Sequence, residues 1–449
     1  MSENLQSNDK LGSAPVKKLL YRMSVQTSFS VLVYSLYGIV DAFFIAKWGG
    51  ASAVGGISII FPLNIFLYAV SITAGSGASS IVSRAIGRKD FETAKTAAAN
   101  AMMMFWITAV IITVFGIIFM DGLLGFLGVT DEIQPFAQSY LKIILIGAIT
   151  STGFSNVIRA EGNTSFAMYQ WIIPTLLNLA LDPVFIFVFK MGVRGAAIST
   201  VISQAVSASM CVYYFFFSKK SSIRLSAKHL KLQSSIIKDI ISIGCPAFFQ
   251  QAGSSLSLVF INNFLKKYGG GNAISSFGIA TKITTFMVIP QQGIVYAAKP
   301  LIGYSFGAGK FKRLRETIFS SGRMNLIFGL IILALLQLFP VQLMRIFSSD
   351  PDIIAAGSRM LRIISLSFPF SGVFNICIEY FQSVGKAKSA AFYSVFNTLI
   401  VMIPLLLIFS ALFGQTGIFV SIPVSAMLSL LVIGFSMKKV LKEFSLNIS

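Results

Sequence analysis

Runs of about 20 apolar residues, each long enough to cross the roughly 30 Å core of a bilayer as a helix, recur along nearly the whole chain. Only 12% of the 449 residues are charged, whereas soluble domains carry about 25%. A soluble chain of this length would form two or three domains with charged surfaces. The sequence therefore predicts an all-α integral membrane protein.

Charged residues, Gly and Pro divide the apolar sequence into twelve predicted helices. An even number of spans places both termini on the same side of the membrane. The loops on that side hold most of the 36 Lys and Arg residues, so the positive-inside rule puts both termini in the cytoplasm. The predicted spans are 20–46, 53–83, 94–119, 134–160, 165–189, 193–217, 237–265, 274–305, 318–342, 353–384, 389–411 and 416–437.

A basic polar segment divides the chain into halves. Residues 218–236 are interpreted as a cytoplasmic linker, solvated between two lobes, with a position on anionic headgroups as the alternative. The N-terminal lobe is predicted at 17–217 and the C-terminal lobe at 237–437. Residues 1–16 are predicted to form a polar N-terminal tail, and residues 438–449 a cytoplasmic C-terminal tail.

The two halves repeat each other. AIGRKDF at 85–91 matches SFGAGKF at 305–311, an offset of 220 residues, and GVRGAAISTVIS at 192–203 matches GQTGIFVSIPVS at 414–425, an offset of 222. Six helices per copy give both copies the same orientation, related by an axis along the membrane normal. The repeat predicts two homologous six-helix bundles with a central cavity between them, which is typical of alternating-access carriers.

Thirteen of the 16 carboxylates fall in loops, tails or span ends, and three fall in the interior of predicted spans: Asp41, Asp182 and Glu379. A charge in the bilayer costs about 3 kcal/mol or more, so such residues face a cavity or the bundle interior and are functional candidates. Asn178 and Asp182 share a helix face, and Pro183 leaves one backbone carbonyl without its usual N–H partner. These oxygens suit a small cation or a proton. Hydrogen bonding between helices beside a proline kink is the alternative.

Glu379 has two interpretations. It is a second protonation or substrate site, or it lies near the membrane surface and pairs with Lys386 or Lys388. The other two carboxylates and Asn178 have apolar counterparts in the second half, so the polar residues of the two halves differ.

A substrate cavity for varied ligands would use Met, aromatic and amide side chains, because Met repacks and aromatic faces attract organic cations. Most of the 42 Phe and 16 Met are expected to face lipid or to pack between helices. Lys282 and Lys299, inside predicted spans, either pair with a carboxylate or reach toward the headgroups. The candidate cavity residues are Tyr37, Gln250, Gln251, Met287, Gln291 and Gln292.

We expect a protein that is not an enzyme. GYSFG at 303–307 has the GxSxG form of a hydrolase nucleophile turn, but it closes a predicted helix, and the sole histidine, His229, lies in the linker. No Walker A sequence is present, so the chain is not expected to hydrolyse ATP. The basic residues stand in short clusters between apolar runs, which argues against a nucleic-acid partner.

Several motifs, in this order, resemble those of the multidrug and toxic compound extrusion (MATE) transporters. They are YGIVD in the first predicted helix, SRAIGRKDFETA after the second, NxxxDP in the fifth and GxxGAAxxT in the sixth. The resemblance covers the chain after residue 16 and points to the DinF-like and related bacterial branches.

The resemblance implies a V-shaped pair of bundles in the bacterial cytoplasmic membrane, acting as a monomer and without a cofactor. It implies export of amphipathic, usually cationic, compounds against an inward flow of H⁺ or Na⁺. The cation site of those branches corresponds to Asp41, Asn178, Asp182 and Thr200. Members of the NorM branch also use C-terminal carboxylates, and that route stays open only through Glu379.

Our hypothesis is an antiporter in which Asp41 and Asp182 bind H⁺ or Na⁺, with no other metal at the site. Ion binding would bend the first or fifth helix at its weak points, Gly38 and Pro183. The rival hypothesis is a flippase for a lipid-linked saccharide. It requires a cationic groove, for which the spans offer Lys282 and Lys299.

Overall fold

The computed structural model describes residues 11–58, 60–127, 129, 133–150 and 154–446, and within these ranges it contains helices and no strand. The helices of the first half are α1 Val16–Ser58, α2 Phe61–Gly87, α3 Phe91–Ile118, α4 Met120–Phe126, α5 Gln134–Ile146, α6 Ser155–Ala160, α7 Thr164–Pro183 and α8 Val193–Val212. Those of the second half are α9 Ser234–Gly307, α10 Phe311–Leu338, α11 Pro340–Arg345, α12 Pro351–Ser365, α13 Phe368–Ser383, α14 Ala387–Val395 and α15 Ile403–Leu446. Short 3₁₀ turns lie at Gly147–Thr150 and Ala227–His229, and π turns at Val184–Val188, Tyr213–Phe217 and Phe396–Met402.

Each of the twelve predicted spans coincides with helical residues in the described part of the chain. Taken by length and apolarity, eight helices in that part are able to cross a membrane, and nine if α12 and α13, bent by 46°, form one span. The lower count has a physical reason, because some elements join two predicted spans. One apolar stretch, Ala387–Glu443, has 57 residues, or about 85 Å at about 1.5 Å per residue, against a core of about 30 Å.

The internal repeat is visible in the backbone. Gly192 and Gly414, which are aligned by the repeat, both have φ of 56°, with ψ of −130° and −135°. A side chain is strained in this region, so Gly is required in both copies. The matched pair Lys89 and Gly309 likewise has positive φ, 62° and 66°. The two halves are therefore copies of one helical unit.

The chain packs as two compact units. The first contains Phe29–Ile86 and Asp90–Gly244, and the second contains Leu11–Ser28, Gly87–Lys89 and the chain from Cys245 onward. The division in α9 thus falls at residue 244, beyond the residue 236 at which the sequence places the end of the linker. α1 and α9 are the first long helices of the two repeats, and each is divided between the units. The division lies after Ser28 in α1 and after Gly244 in α9, in both cases within about four turns of the helix start.

The interlobe linker is folded onto the first unit, which corrects the expectation of a solvated connector. Ile223, Leu225 and His229 in the linker are 0%, 3% and 7% exposed. Asn100 of α3 donates to the carbonyl of Lys231 at 3.1 Å and accepts from the N–H of Gln233 at 2.8 Å. The linker therefore has its own buried contacts.

Glu161, in the turn between α6 and α7, is the second anchor of the linker. Its carboxylate accepts from the N–H of Ser222 at 2.8 Å and from the hydroxyl of Ser221 at 3.1 Å. The side chain is 1% exposed, and this burial raises the pKa of Glu161 to about 7 against the lowering effect of its donors.

The segment from Leu11 to Val16 belongs to the second unit, although the sequence predicts a polar tail there. Leu11 is 1% exposed and packs in the core of that unit. Nε of Arg313 donates to its carbonyl at 2.8 Å, and Nζ of Lys310 donates to the carbonyl of Gly12 at 3.0 Å. One apolar side chain and two basic partners thus hold the end of the predicted tail.

Candidate functional site

A polar cluster lies in the first unit where α7 packs against α8. Asn178 and Asp182 occupy one face of α7, Ser199 lies on α8, and the three are 1%, 0% and 0% exposed. The Ser199 hydroxyl donates to Oδ1 of Asp182. Nδ2 of Asn178 lies 3.3 Å from the same oxygen and 3.2 Å from Ser199 Oγ. The amide and the hydroxyl fix the orientation of this carboxylate.

Three oxygens of this region are buried and have no hydrogen-bond partner among the described residues: Oδ1 of Asp41, Oδ1 of Asn178 and Oδ2 of Asp182. Leaving a buried acceptor unpaired costs about 1–3 kcal/mol, and more when the group is charged. All three are oxygen acceptors, and two belong to carboxylates. A cation or a proton is the partner that such oxygens can take.

Asp41 belongs to the same region although it lies on α1. It is 8% exposed and within electrostatic range of Asp182. Tyr140 on α5 is 5% exposed and within electrostatic range of both carboxylates. Thr200 follows Ser199 on α8 and is 6% exposed. Four helices, α1, α5, α7 and α8, thus contribute buried polar residues to the first unit.

The backbone next to the site departs from regular helix. α7 ends at Pro183, and the π turn Val184–Val188 follows directly. Proline lacks the N–H that continues an α-helix, and π turns are frequent at functional sites. Gly38, by contrast, lies in a regular helical part of α1, and the break in that helix is at Gly50, with φ of 63°. The structure therefore holds one of the two expected weak points, Gly38, in its helical form.

Ser199 and Tyr140 were not identified from the sequence. Serines are common throughout the spans, and the spacing of Ser199 from Asp182 carries no periodic signal. The available signal was its position beside Thr200 in the GxxGAAxxT segment. Tyr140 has no local motif at all.

The candidate cavity residues differ in exposure. Gln250 and Gln292 are exposed, whereas Gln251 and Met287 are half-buried. The side chain of Tyr37 lies outside the described residues. Gln291 is 4% exposed, and its amide donates to the carbonyls of Asn325 and Phe368, both at 3.0 Å. Its amide therefore binds backbone of α10 and of the start of α13.

Glu379 belongs to the second unit, on α13. Its Oε1 is 2.8 Å from Nζ of Lys299 on α9. Neither Lys386 nor Lys388, the partners considered from the sequence, takes part in this ion pair. Among the described residues, no group of three or more His, Cys, Asp and Glu side chains is placed to hold a metal ion.

Comparison with known proteins gives the family. The MatE family model matches residues 27–184 and 246–408, well over half of the chain and both repeats. The chain belongs to the MatE family. This family is the MATE transporters that the sequence motifs resemble, and its members are multi-pass membrane proteins rather than enzymes.

Curated relatives of this MatE protein include the multidrug export protein MepA of Staphylococcus saprophyticus, 27% identical over 416 residues, which are 90% of this chain and 89% of that protein. MepA of Staphylococcus aureus is 26% identical over 412 residues, 90% of each chain.

Solved structures show the same fold. One is described as the outward-facing conformation of a multidrug resistance MATE family transporter of the MOP superfamily, with a TM-score of 0.90, 24% identity, and coverage of 97% of this chain and 98% of that one. Another, a MATE protein in a bent conformation, has a TM-score of 0.91 and 23% identity over 98% and 99% of the chains. The MATE fold is thus shown, with the all-helical architecture expected from the sequence.

Proposed function

We propose that the protein exports amphipathic, cationic organic compounds from bacterial cells in exchange for H⁺ or Na⁺. The exchange is coupled through Asp41, Asn178, Asp182 and Thr200 in the first unit. The transporter lies in the cytoplasmic membrane with both termini in the cytoplasm, and it works as a monomer by alternating access. The relatives named multidrug export proteins support the substrate class.

The observation that carries the proposal is the set of three buried, unpartnered oxygens on Asp41, Asn178 and Asp182. A purely structural cluster would satisfy its own acceptors, because neighbouring spans offer donors. Two carboxylates within electrostatic range repel each other, so binding one H⁺ or Na⁺ relieves both the repulsion and the unpaired oxygens. Binding the ion changes the local charge, which is what a coupled transporter needs at its switch.

Exposed polar faces in the second unit support a route for solutes. Gln250 and Ser254 are exposed on one face of α9, and Lys282, Thr285 and Gln292 are exposed further along the same helix at helical spacing. Lipid offers no hydrogen bonds, so such faces suit a water-filled cavity. Amphipathic solutes would meet polar groups there.

The flippase alternative receives less support. Its pyrophosphate-binding groove would draw on Lys282 and Lys299. Because Lys299 is bound to Glu379, only Lys282 remains exposed of these two. We therefore propose export of cations rather than of a lipid-linked pyrophosphate.

Ethidium efflux from proteoliposomes, with pH and Na⁺ gradients imposed separately, tests the proposal. Wild type is expected to respond to one gradient, and Asp41→Asn and Asp182→Asn are expected to lose the response. Asp239→Asn, which alters an exposed carboxylate at the start of α9, is the matched control and is expected to keep it. Wild-type efflux equal to that of empty vesicles would refute the proposal.

A further inference from the structure

A buried ion pair occupies the second unit. Nζ of Lys299 lies 2.8 Å from Oε1 of Glu379 and donates to Oε1 of Gln382 at 3.1 Å. The hydroxyl of Ser383 lies 3.4 Å from the same Glu379 oxygen. Lys299 and Glu379 are 6% and 7% exposed. Removing either partner of a buried ion pair strongly destabilises the folded protein, because the charge that remains is buried without its counter-ion.

The charged groups on the surrounding elements do not compete for Glu379. α13 packs against α10, α14 and α15, and the start of α1 packs in the same core. Glu379 forms its ion pair with Lys299 of α9. Arg313 is half-buried and donates to the carbonyl of Leu11. The other charged residues on or next to these elements are exposed; examples are Arg22, Glu316, Arg323, Lys386, Lys388 and Glu443.

The first repeat has a buried cation in the same register. Gly162 and Gly385, with φ of 87° and 82°, give the repeat a local offset of 223 residues. At that offset Glu379 corresponds to Asn156 and Gln382 to Arg159. Nη2 of Arg159 donates to Oδ1 of Asn156 at 2.7 Å, and Arg159 is 5% exposed. Both units thus hold a buried cation against this position of the repeat. At this position the first unit has an amide, Asn156, and the second unit has a carboxylate, Glu379.

The buried carboxylates of the two units differ in their bound partners. Asp41 and Asp182 each keep one buried oxygen without a partner, whereas Glu379 already holds an ammonium group. The ammonium group is part of the protein and stays next to the carboxylate, and any H⁺ or Na⁺ that displaced it would break a buried ion pair in a medium of low dielectric.

We propose that Lys299 is the resident counter-ion of Glu379, so that this carboxylate exchanges no ion and the coupling ions pass through the first unit alone. The inference rests on the proposed function for its role in transport. The pairing itself is independent of that function. In this view Glu379 binds and positions the side chain of Lys299, and it is not a second protonation site.

The pairing is tested without transport, by thermal unfolding of the purified protein between pH 5 and 8. Lys299→Met leaves Glu379 without a cation, so the carboxyl takes up a proton, and the variant is expected to lose stability as pH rises and that proton leaves. Wild type and Lys299→Met/Glu379→Gln are expected to lack this additional loss. Lys282→Met, which removes the exposed lysine of the same helix, is the matched control and is expected to follow wild type.

The same unfolding curves give a double-mutant cycle. Each single variant is expected to melt at a lower temperature than wild type, and the double variant is expected to recover most of the difference. A double variant whose loss equals the sum of the single losses would overturn the pairing.

The ion-to-substrate ratio in proteoliposomes tests the role in coupling. The double variant is expected to keep the wild-type ratio, because Glu379 carries no ion. A lower ratio in the double variant would show that Glu379 exchanges an ion and would overturn the inference. Wild-type vesicles without ion-driven efflux would instead contradict the proposed function, while the unfolding experiments would still decide the pairing.

Discussion

Ser199 controls the orientation and charge of Asp182 in our account. Its hydroxyl donates to Oδ1 of that carboxylate and lies 3.2 Å from the Asn178 amide nitrogen. Removing one hydrogen bond to a charged group is worth about 1.5–3 kcal/mol, or roughly tenfold and more in an equilibrium constant.

Ser199→Ala is therefore expected to change, by roughly tenfold, the ion concentration that gives half-maximal ethidium efflux. If the ion is Na⁺, the site loses an oriented ligand and needs more of it. If the ion is H⁺, the carboxylate loses a donor to its charged form and needs less. Ser203→Ala, one turn further along α8, is the control. A Ser199→Ala profile identical to that of Ser203→Ala would contradict this role.

Glu161 predicts a pH dependence of stability. Its pKa of about 7 in the folded protein lies above the ordinary value of 4.5. Between these pH values the folded state keeps a proton that the unfolded chain releases, so the free energy of unfolding falls as pH rises from about 4.5 to about 7. Glu161→Gln removes this titration.

Thermal unfolding of wild type and Glu161→Gln at pH 5 and pH 8 checks the sign. The melting temperature of wild type is expected to fall relative to that of the variant on going to pH 8. A relative rise would mean that the folded carboxyl is more acidic than an ordinary Glu.

The residues of the site show what sequence reasoning can reach. A spacing of four on one helix was enough to pair Asn178 with Asp182, and the cost of buried charge singled out Asp41. The contacts of Ser199 and of Lys299 join residues 17 and about 80 positions apart. Such contacts depend on how helices pack, which a single sequence does not encode in its periodicity.

α1 is the element on which the proposed motion depends. It runs as a helix through Gly38, three residues before Asp41. A Cβ at Gly38 would meet no atom within 4 Å, so the residue is not required by packing. A bend at this position would use the backbone freedom that glycine has and alanine lacks.

Gly38→Ala is accordingly expected to leave the melting temperature unchanged or slightly raised and to slow efflux several-fold. Gly434→Ala in α15 adds a methyl group to similarly open space and serves as control, with efflux unchanged. Unchanged efflux in Gly38→Ala would place the bend elsewhere in the helix.

The sequence predicted which segments are helical more completely than where each helix bends or ends. The apolar runs located all twelve segments, and the break at Gly414 lies between the spans predicted at 389–411 and 416–437, but the bend between α12 and α13 was not anticipated. The linker was misjudged because its basic residues are exposed while Ile223, Leu225 and His229 are buried. A short segment with alternating burial has too few residues for periodicity to be read.

At the scale of the whole molecule, the two units share a backbone and differ in their charges. Gly192 and Gly414 adopt the same positive-φ conformation 222 residues apart, so the copies have kept their geometry. The first unit holds two carboxylates with unpartnered oxygens, and the second holds a carboxylate with a lysine against it. We infer that the first unit has specialised in binding the coupling ion, while the second contributes polar faces for the solute.

The number of ions moved inward for each ethidium moved outward, measured in the same proteoliposomes, tests the central claim most directly. For wild type we predict a fixed ratio that does not vary with the size of the imposed gradient, and we predict that Asp182→Asn loses it. Asp182→Asn vesicles that retain the wild-type ratio would contradict coupling through the first unit.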